Sequence, residues 1–143
     1  MDIEIGQVLS LRIRFNNSGT ISETKHPYLV VAVSPELGTI EIAQLSSLEG
    51  KEYKLTHRVL SKKNKLITCD NETVIDKDSL MQKDNKITIS IFEELTRFRR
   101  QRDKLSEAKL KTALAEYWEY HQQPINENQI VHMDRDEIIR LNS

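Results

Sequence analysis

Four residues of this sequence carry side chains that could move a proton and hold negative charge. Lys25 and His26 stand directly before Pro27, and Ser46 and Ser47 end the apolar segment that follows. An imidazole titrates near neutrality and serves as acid or base, while a cation and hydroxyl donors can hold charged oxygens. A His before a Pro is also a common plain loop residue, so the elements between these four residues decide whether they meet. Residues 28–33, YLVVAV, form an apolar run rich in β-branched side chains, which suits a strand buried on both faces. Ser34-Pro35-Glu36-Leu37-Gly38 is turn chemistry, with Pro fixing φ and Gly supplying a positive φ. The chain returns over 39–45, where Ile40 and Ile42 alternate with Glu41. Antiparallel pairing across that turn predicts that Ser46-Ser47 lies close to Lys25-His26.

Gly6-Gln7-Val8, then His26-Pro27 opening an apolar strand, then residues 40–47 ending in a hydroxyl pair, resemble the MazF/PemK (Kid) toxins in that order. Residues 69–80, CDNETVIDKDSL, are similar to that family's strand-and-short-helix segment, so the resemblance covers about the first hundred residues. It implies a β-rich α+β fold, an SH3-like small β-barrel of the MazF/PemK/CcdB type, here followed by C-terminal helices. It also implies a homodimer that cleaves single-stranded RNA without metal or cofactor and is neutralised by a cognate antitoxin protein. The catalytic residues would be Lys25, His26, Ser46 and Ser47. The 2′-OH of the RNA attacks the neighbouring phosphorus, so the protein need only move protons and stabilise charge on the phosphorane. Two positions depart from the family pattern. An arginine normally precedes the strand's proline, where this chain has His26, and the family's Thr at the end of the next strand is Ser46 here. The first departure leaves open a second reading, a barrel of the same fold that binds RNA or protein without cleaving.

The chain of 143 residues has room for one domain, or one domain and an extension. A formal net charge of −1 rules out attraction of nucleic acid by bulk charge, so distribution matters more than the sum. Residues 51–65 carry six Lys/Arg against one acidic residue, and 97–104 carry five against one. Arg12 and Arg14, on the polar face of the first strand, are candidate RNA contacts. So are Lys51, Lys54, His57, Arg58, Lys62, Lys63 and Lys65. Ordinary solvated faces account for the same charges, and lysines at a hairpin tip also discourage edge-to-edge pairing. The single cysteine, Cys69, excludes an intrachain disulfide. His26, His57, His121 and His132 fall in four different expected elements without ligand spacing, so no metal site is expected. Neither a phosphate loop, a dinucleotide fingerprint nor a nucleophile elbow is present. The first residues lack a signal-peptide pattern and no apolar run approaches the ~20 residues of a membrane helix. A cytoplasmic protein with no membrane partner is the expectation.

The remaining elements follow from periodicity and capping. Residues 8–15 alternate, with Leu9, Leu11, Ile13 and Phe15 on one face of a half-buried strand. Residues 16–25 form a polar loop of about ten residues, longer than the ~2–5 of a usual hairpin connection. Residues 52–56 read as a strand, with 57–60 left open as its extension, and 66–69 as the returning strand; Val74-Ile75 reads as a short one, and 76–81 as a helical turn capped by Asp76. After a strand at 87–89, Ser90 to Glu93 is a capping box opening a helix to about Lys104. Ile91, Leu95 and Phe98 line its inner face, with Arg97, Arg99, Arg100 and Arg102 around its distal half. A second helix, capped by Ser106, carries Leu110, Ala113, Leu114, Tyr117 and Trp118 on one stripe and ends before Pro124. Capping signals at Asn126 and Asp134 predict two short helices, one with Ile130, Val131 and Met133, the other with Ile138, Ile139 and Leu141. The expected division is 1–104 for the barrel with its helix and 105–143 for a helical extension. That extension could pack on the core, contact a second copy, or cover the site.

Overall fold

The hairpin of residues 26–47 is the centre of the sheet. The computed structural model describes residues 3–15, 19–47, 58–60, 79–81, 84–104 and 107–143. Strands β2 (His26–Ser34) and β3 (Thr39–Ser47) pair antiparallel from Ser34–Thr39 to Tyr28–Gln44, with a bulge between Val30 and Ala32. Gly38, at φ 65°, makes the turn between them, in the region only glycine enters freely. On its other edge β2 pairs with β1 (Gln7–Leu11), antiparallel, setting Leu11 opposite His26.

The other edge of β3 is shared by two strands. Residues 39–42 pair with β6 (Lys86–Ser90), and residues 45–47 with β5 (Ser79–Met81), which in turn pairs with β4 (Arg58–Leu60). Strand β7 (Arg99–Lys104) runs along the outer edge of β1, and β8 (Ile130–Met133) lies parallel to β6. Helix α1 (Glu107–Tyr120), helix α2 (Arg135–Asn142) and two 3₁₀ turns, Glu93–Phe98 and Glu127–Gln129, complete a β-rich α+β fold.

Alternation along the strands divides the interior in two. Leu9, Leu11, Tyr28, Val30, Ile40, Ile42, Ile87 and Ile89 face a core closed by Leu95, Val131, Met133, Ile138 and Leu141. Val8, Leu29, Val31, Ala43, Leu45 and Met81 face the opposite side, where α1 covers them with Ala113 and Tyr117. With both faces covered, residues 28–31 have no polar position to show, which explains the unbroken apolar run. Each fully buried aliphatic or aromatic side chain stabilises the fold by about 1.5–3 kcal/mol.

Several expected elements come out differently. The helix expected from Ser90 to about Lys104 is a 3₁₀ turn followed by strand β7. Leu95 and Phe98 are buried as expected, but residues 99–104 contain no apolar side chain to hold a helix down, and the open edge of β1 takes up the backbone groups instead. Asn126 does cap a turn, accepting from the Asn128 N–H, yet it is only a short 3₁₀ turn. Residues 130–133 are a strand: Val131 and Met133 are buried and His132 is exposed, a period of two rather than 3.6. Ser79–Met81 is likewise strand rather than the end of a helical turn. Asp134 caps α2 as its sequence predicts, accepting from the Glu137 N–H at 2.9 Å. In α1, Ala113 and Tyr117 are buried, while Trp118 stands at the edge of the stripe, edge-on to the Tyr117 ring. The expected strand 66–69, Val74-Ile75, Asp76, Cys69, Leu105 and Ser106 lie outside the described residues.

Candidate functional site

Pro27 sets the geometry of the site by restricting the residue before it to extended backbone, so His26 opens β2 as a strand residue. The His26 ring is half-buried and packs at a tilt against Phe15, with ring centroids 6.0 Å apart. Phe15 reaches that place because the chain folds back on itself. The Phe15 N–H donates to the Thr20 carbonyl at 2.7 Å, the Ser22 N–H to the Ile13 carbonyl at 3.0 Å, and Arg14 bridges to Ile21. Ser22 is buried, its hydroxyl accepting from the Ile13 N–H and donating back to the Ile13 carbonyl. Much of the segment expected as a long free loop is therefore pinned to the end of the first strand. Asn85 adds a second tie, donating to the Phe15 carbonyl at 2.9 Å.

Lys25 is exposed and lies over a different ring. Its Nζ is 5.5 Å from the Phe98 centroid, and the Arg97 guanidinium carbon is 4.9 Å from the same centroid. Phe98 belongs to the main core and closes the 3₁₀ turn, so two cations from distant parts of the chain share one anchored ring. The turn is fixed at its other end by the Glu94–Arg135 ion pair. The Glu94 carboxyl is held below its usual range, first by a backbone hydrogen bond and then by Arg135, with Arg97 also acting on it.

Ser46 and Ser47 end β3, opposite Leu80 and Ser79 of β5. The pairing of β2 with β3 extends to Tyr28–Gln44, and His26 and Ser46 are each two residues further along those two strands. They therefore lie at the same end of the hairpin, beyond the last pair of its ladder. Arg58 faces Met81 on β5, which itself faces Leu45, so Arg58 sits two strands from the end of β3.

Arg12 and Arg14, expected on a phosphate-binding wall, are built into the fold. The Arg12 Nε donates to the Ser22 carbonyl, and its backbone N–H and C=O are both bonded by the Asn142 side chain, at 2.7 and 2.9 Å. Arg14 pairs with Glu137 at 3.0 Å and donates to the His132 carbonyl, tying the first strand to α2 and β8. Lys51, Lys54, His57, Lys62, Lys63 and Lys65 lie outside the described residues. Phe15, Arg97 and Phe98 are site neighbours that sequence reasoning left out. A signal for two of them was present, since Arg97 and Phe98 open the basic stretch, but helical periodicity assigned Arg97 to a solvated face.

Two buried phenols lie on opposite faces of the sheet. Tyr28 shares the face of Leu9 and His26 by alternation; burial raises its pKa, and its hydroxyl has no hydrogen-bond partner among the described residues. On the other face the Tyr117 hydroxyl donates to Glu41 Oε2 at 2.6 Å, and the Tyr117 ring packs at a tilt against that of His121, with centroids 4.4 Å apart. Burial pushes the Glu41 carboxyl up, and the Tyr117 hydrogen bond, Lys86 and His132 oppose that shift. This pair holds α1 to β3 and is separated from His26 by the sheet. Among the described residues no group of three or more His, Cys, Asp or Glu converges, and no helix is long and apolar enough to cross a membrane.

Comparison of the sequence with protein-family models returns no match, and none of the curated proteins matches it.

Proposed function

We propose that this protein is a toxin-like endoribonuclease of the MazF/PemK kind, cleaving single-stranded RNA by attack of the 2′-OH on the adjacent phosphorus. The observation that carries the reading is that His26 opens β2 and Ser46 closes β3 at the same end of the hairpin, with Lys25 preceding His26 in the chain. The resemblance locates catalysis at these positions. In this reading His26 takes the 2′-OH proton or protonates the leaving 5′-oxygen, a role worth ~10²–10⁴-fold. Lys25 and the serine hydroxyls stabilise the charge that develops on the phosphorane oxygens. Nothing in those steps needs a metal. The finer fold assignment, an SH3-like barrel, is supported by a strand β3 that pairs with β2 on one edge and with both β5 and β6 on the other. A homodimer, a cognate antitoxin and a cytoplasmic location belong to the same reading.

The test is incubation of the purified protein with single-stranded RNA in EDTA at several pH values. Products ending in a 2′,3′-cyclic phosphate and a 5′-hydroxyl, together with growth arrest on expression alone, are the expected result. Intact RNA at every pH with harmless expression rejects the enzyme. Salt-dependent RNA binding without products would favour the non-catalytic barrel, a reading motivated by His26 standing where the family has arginine.

A further inference from the structure

The basic stretch 97–104 was expected on the solvated side of a helix, yet its first member is held beside Lys25. Lys25 and Arg97 are both within 5.5 Å of one ring centroid, although they come from β2's entry and from the 3₁₀ turn. Two like charges repel, and contacts with a ring face return only about 0.5–1 kcal/mol each at exposed sites. Glu94 of the same turn is engaged by Arg135, and an anion between or beside Lys25 and Arg97 would offset the repulsion that remains. Lys25 directly precedes His26 in the chain, so the two cations stand at the entry of β2. The second cation is preorganised rather than loosely tethered, because Leu95 and Phe98 are buried and Arg135 fixes Glu94 in the same turn. Beyond Phe98 the chain runs as β7 along β1, so Arg99, Arg100, Arg102 and Lys104 follow the sheet edge leading away from this point.

We infer that Arg97 and Lys25, seated on Phe98, form a phosphate subsite that holds a backbone phosphodiester of the RNA strand flanking the bond His26 acts on. The inference rests on the ribonuclease reading for its substrate, and it gives Phe98 a positioning role. Arg97 binds ground state and transition state alike, so its loss weakens binding rather than chemistry.

The experiment compares the parent with Arg97→Ala, Phe98→Leu and, as a charge control on another element, Arg140→Ala. Each is titrated with a 2′-O-methyl oligonucleotide, which cannot be cleaved, over a range of salt, and each is assayed on the corresponding RNA. Arg97→Ala should flatten the log–log salt slope by about 0.7, the value of one single-strand phosphate contact. Its KM should rise while kcat stays within about twofold of the parent. Phe98→Leu, with melting checked, should shift in the same direction, and Arg140→Ala should match the parent. A parent-like slope and KM in Arg97→Ala overturns the subsite and leaves the ribonuclease reading standing. A parent that binds the oligonucleotide but cleaves nothing overturns the enzyme, while the slopes still decide the subsite. A parent that binds neither strand overturns both. Should Phe98→Leu fail to fold, the exposed Arg97 variant decides alone.

Discussion

His26 and Glu41 sit on opposite faces of the same sheet and invite opposite expectations. Replacing His26 with Ala should abolish RNA cleavage while leaving affinity for the non-cleavable oligonucleotide close to that of the parent, because one imidazole adds little to the binding of a polyanion. Paired cleavage and anisotropy measurements check this, and residual activity equal to the parent's would remove the catalytic assignment. Glu41 concerns stability. Its carboxyl is pushed above its ordinary value chiefly by burial, so the folded protein keeps the proton more readily than the unfolded chain does. That contribution is complete below the unfolded value and is lost as pH rises through the folded one. Glu41→Gln keeps an acceptor for Tyr117 and removes the titration. Its melting temperature relative to the parent should therefore improve as pH rises from the ordinary carboxylate range through the raised folded value. A difference that stays constant over that range would show that Glu41 titrates alike in both states. Tyr117→Phe leaves the Glu41 carboxyl without its buried donor and should cost ~1–3 kcal/mol by denaturant unfolding.

At the scale of elements, helix α2 does more than cover the core. The Asn142 amide bonds both the N–H and the C=O of Arg12, imitating a strand partner just past the end of β1, and also donates to the Ile138 carbonyl of its own helix. Arg14 reaches Glu137 of the same helix. Asn142→Ala should cost ~1–3 kcal/mol, since it strips partners from part-buried backbone groups. Hydrogen exchange should show faster opening of the Arg12 amide than of the β2 and β3 amides, and equal protection would discount the tie. The start of β1 depends on α1 in a comparable way. Gly6 has φ 97°, and a Cβ built there would stand 2.6 Å from Leu110 Cδ2. Gly6→Ala therefore meets both an unfavourable backbone region and a packed helix.

For the whole molecule, residues 107–143 supply side chains to both cores. Val131, Met133, Ile138 and Leu141 are part of the main core, and Ala113 and Tyr117 close the second one. The first four alone represent about 6–12 kcal/mol of burial, comparable to the ~5–15 kcal/mol stability of a typical domain. A chain ended at residue 104 should therefore lack a cooperative thermal transition and native-like amide dispersion. A truncated chain that melts cooperatively near the parent's temperature would show that the first 104 residues fold without them.

What the sequence by itself determined is the central hairpin: an apolar run, a Pro-to-Gly turn and an alternating return are local signals, and local signals set β2, β3 and the positions of Lys25, His26, Ser46 and Ser47 at one end. The Asp134 cap and the stripe of α1 were legible for the same reason. The fates of 99–104 and 130–133 were decided only by the tertiary structure. Those residues became strands because β1 and β6 presented edges to them, and an open edge far away in sequence leaves no periodicity in the segment that fills it. Arg12 and Arg14 show the same limit, since their polar alternation is identical whether a side chain meets a phosphate, the Ser22 carbonyl or the Glu137 carboxylate. The pairing of Lys25 with Arg97 over Phe98 joins residues distant along the chain, and only the folded sheet could bring them to one ring.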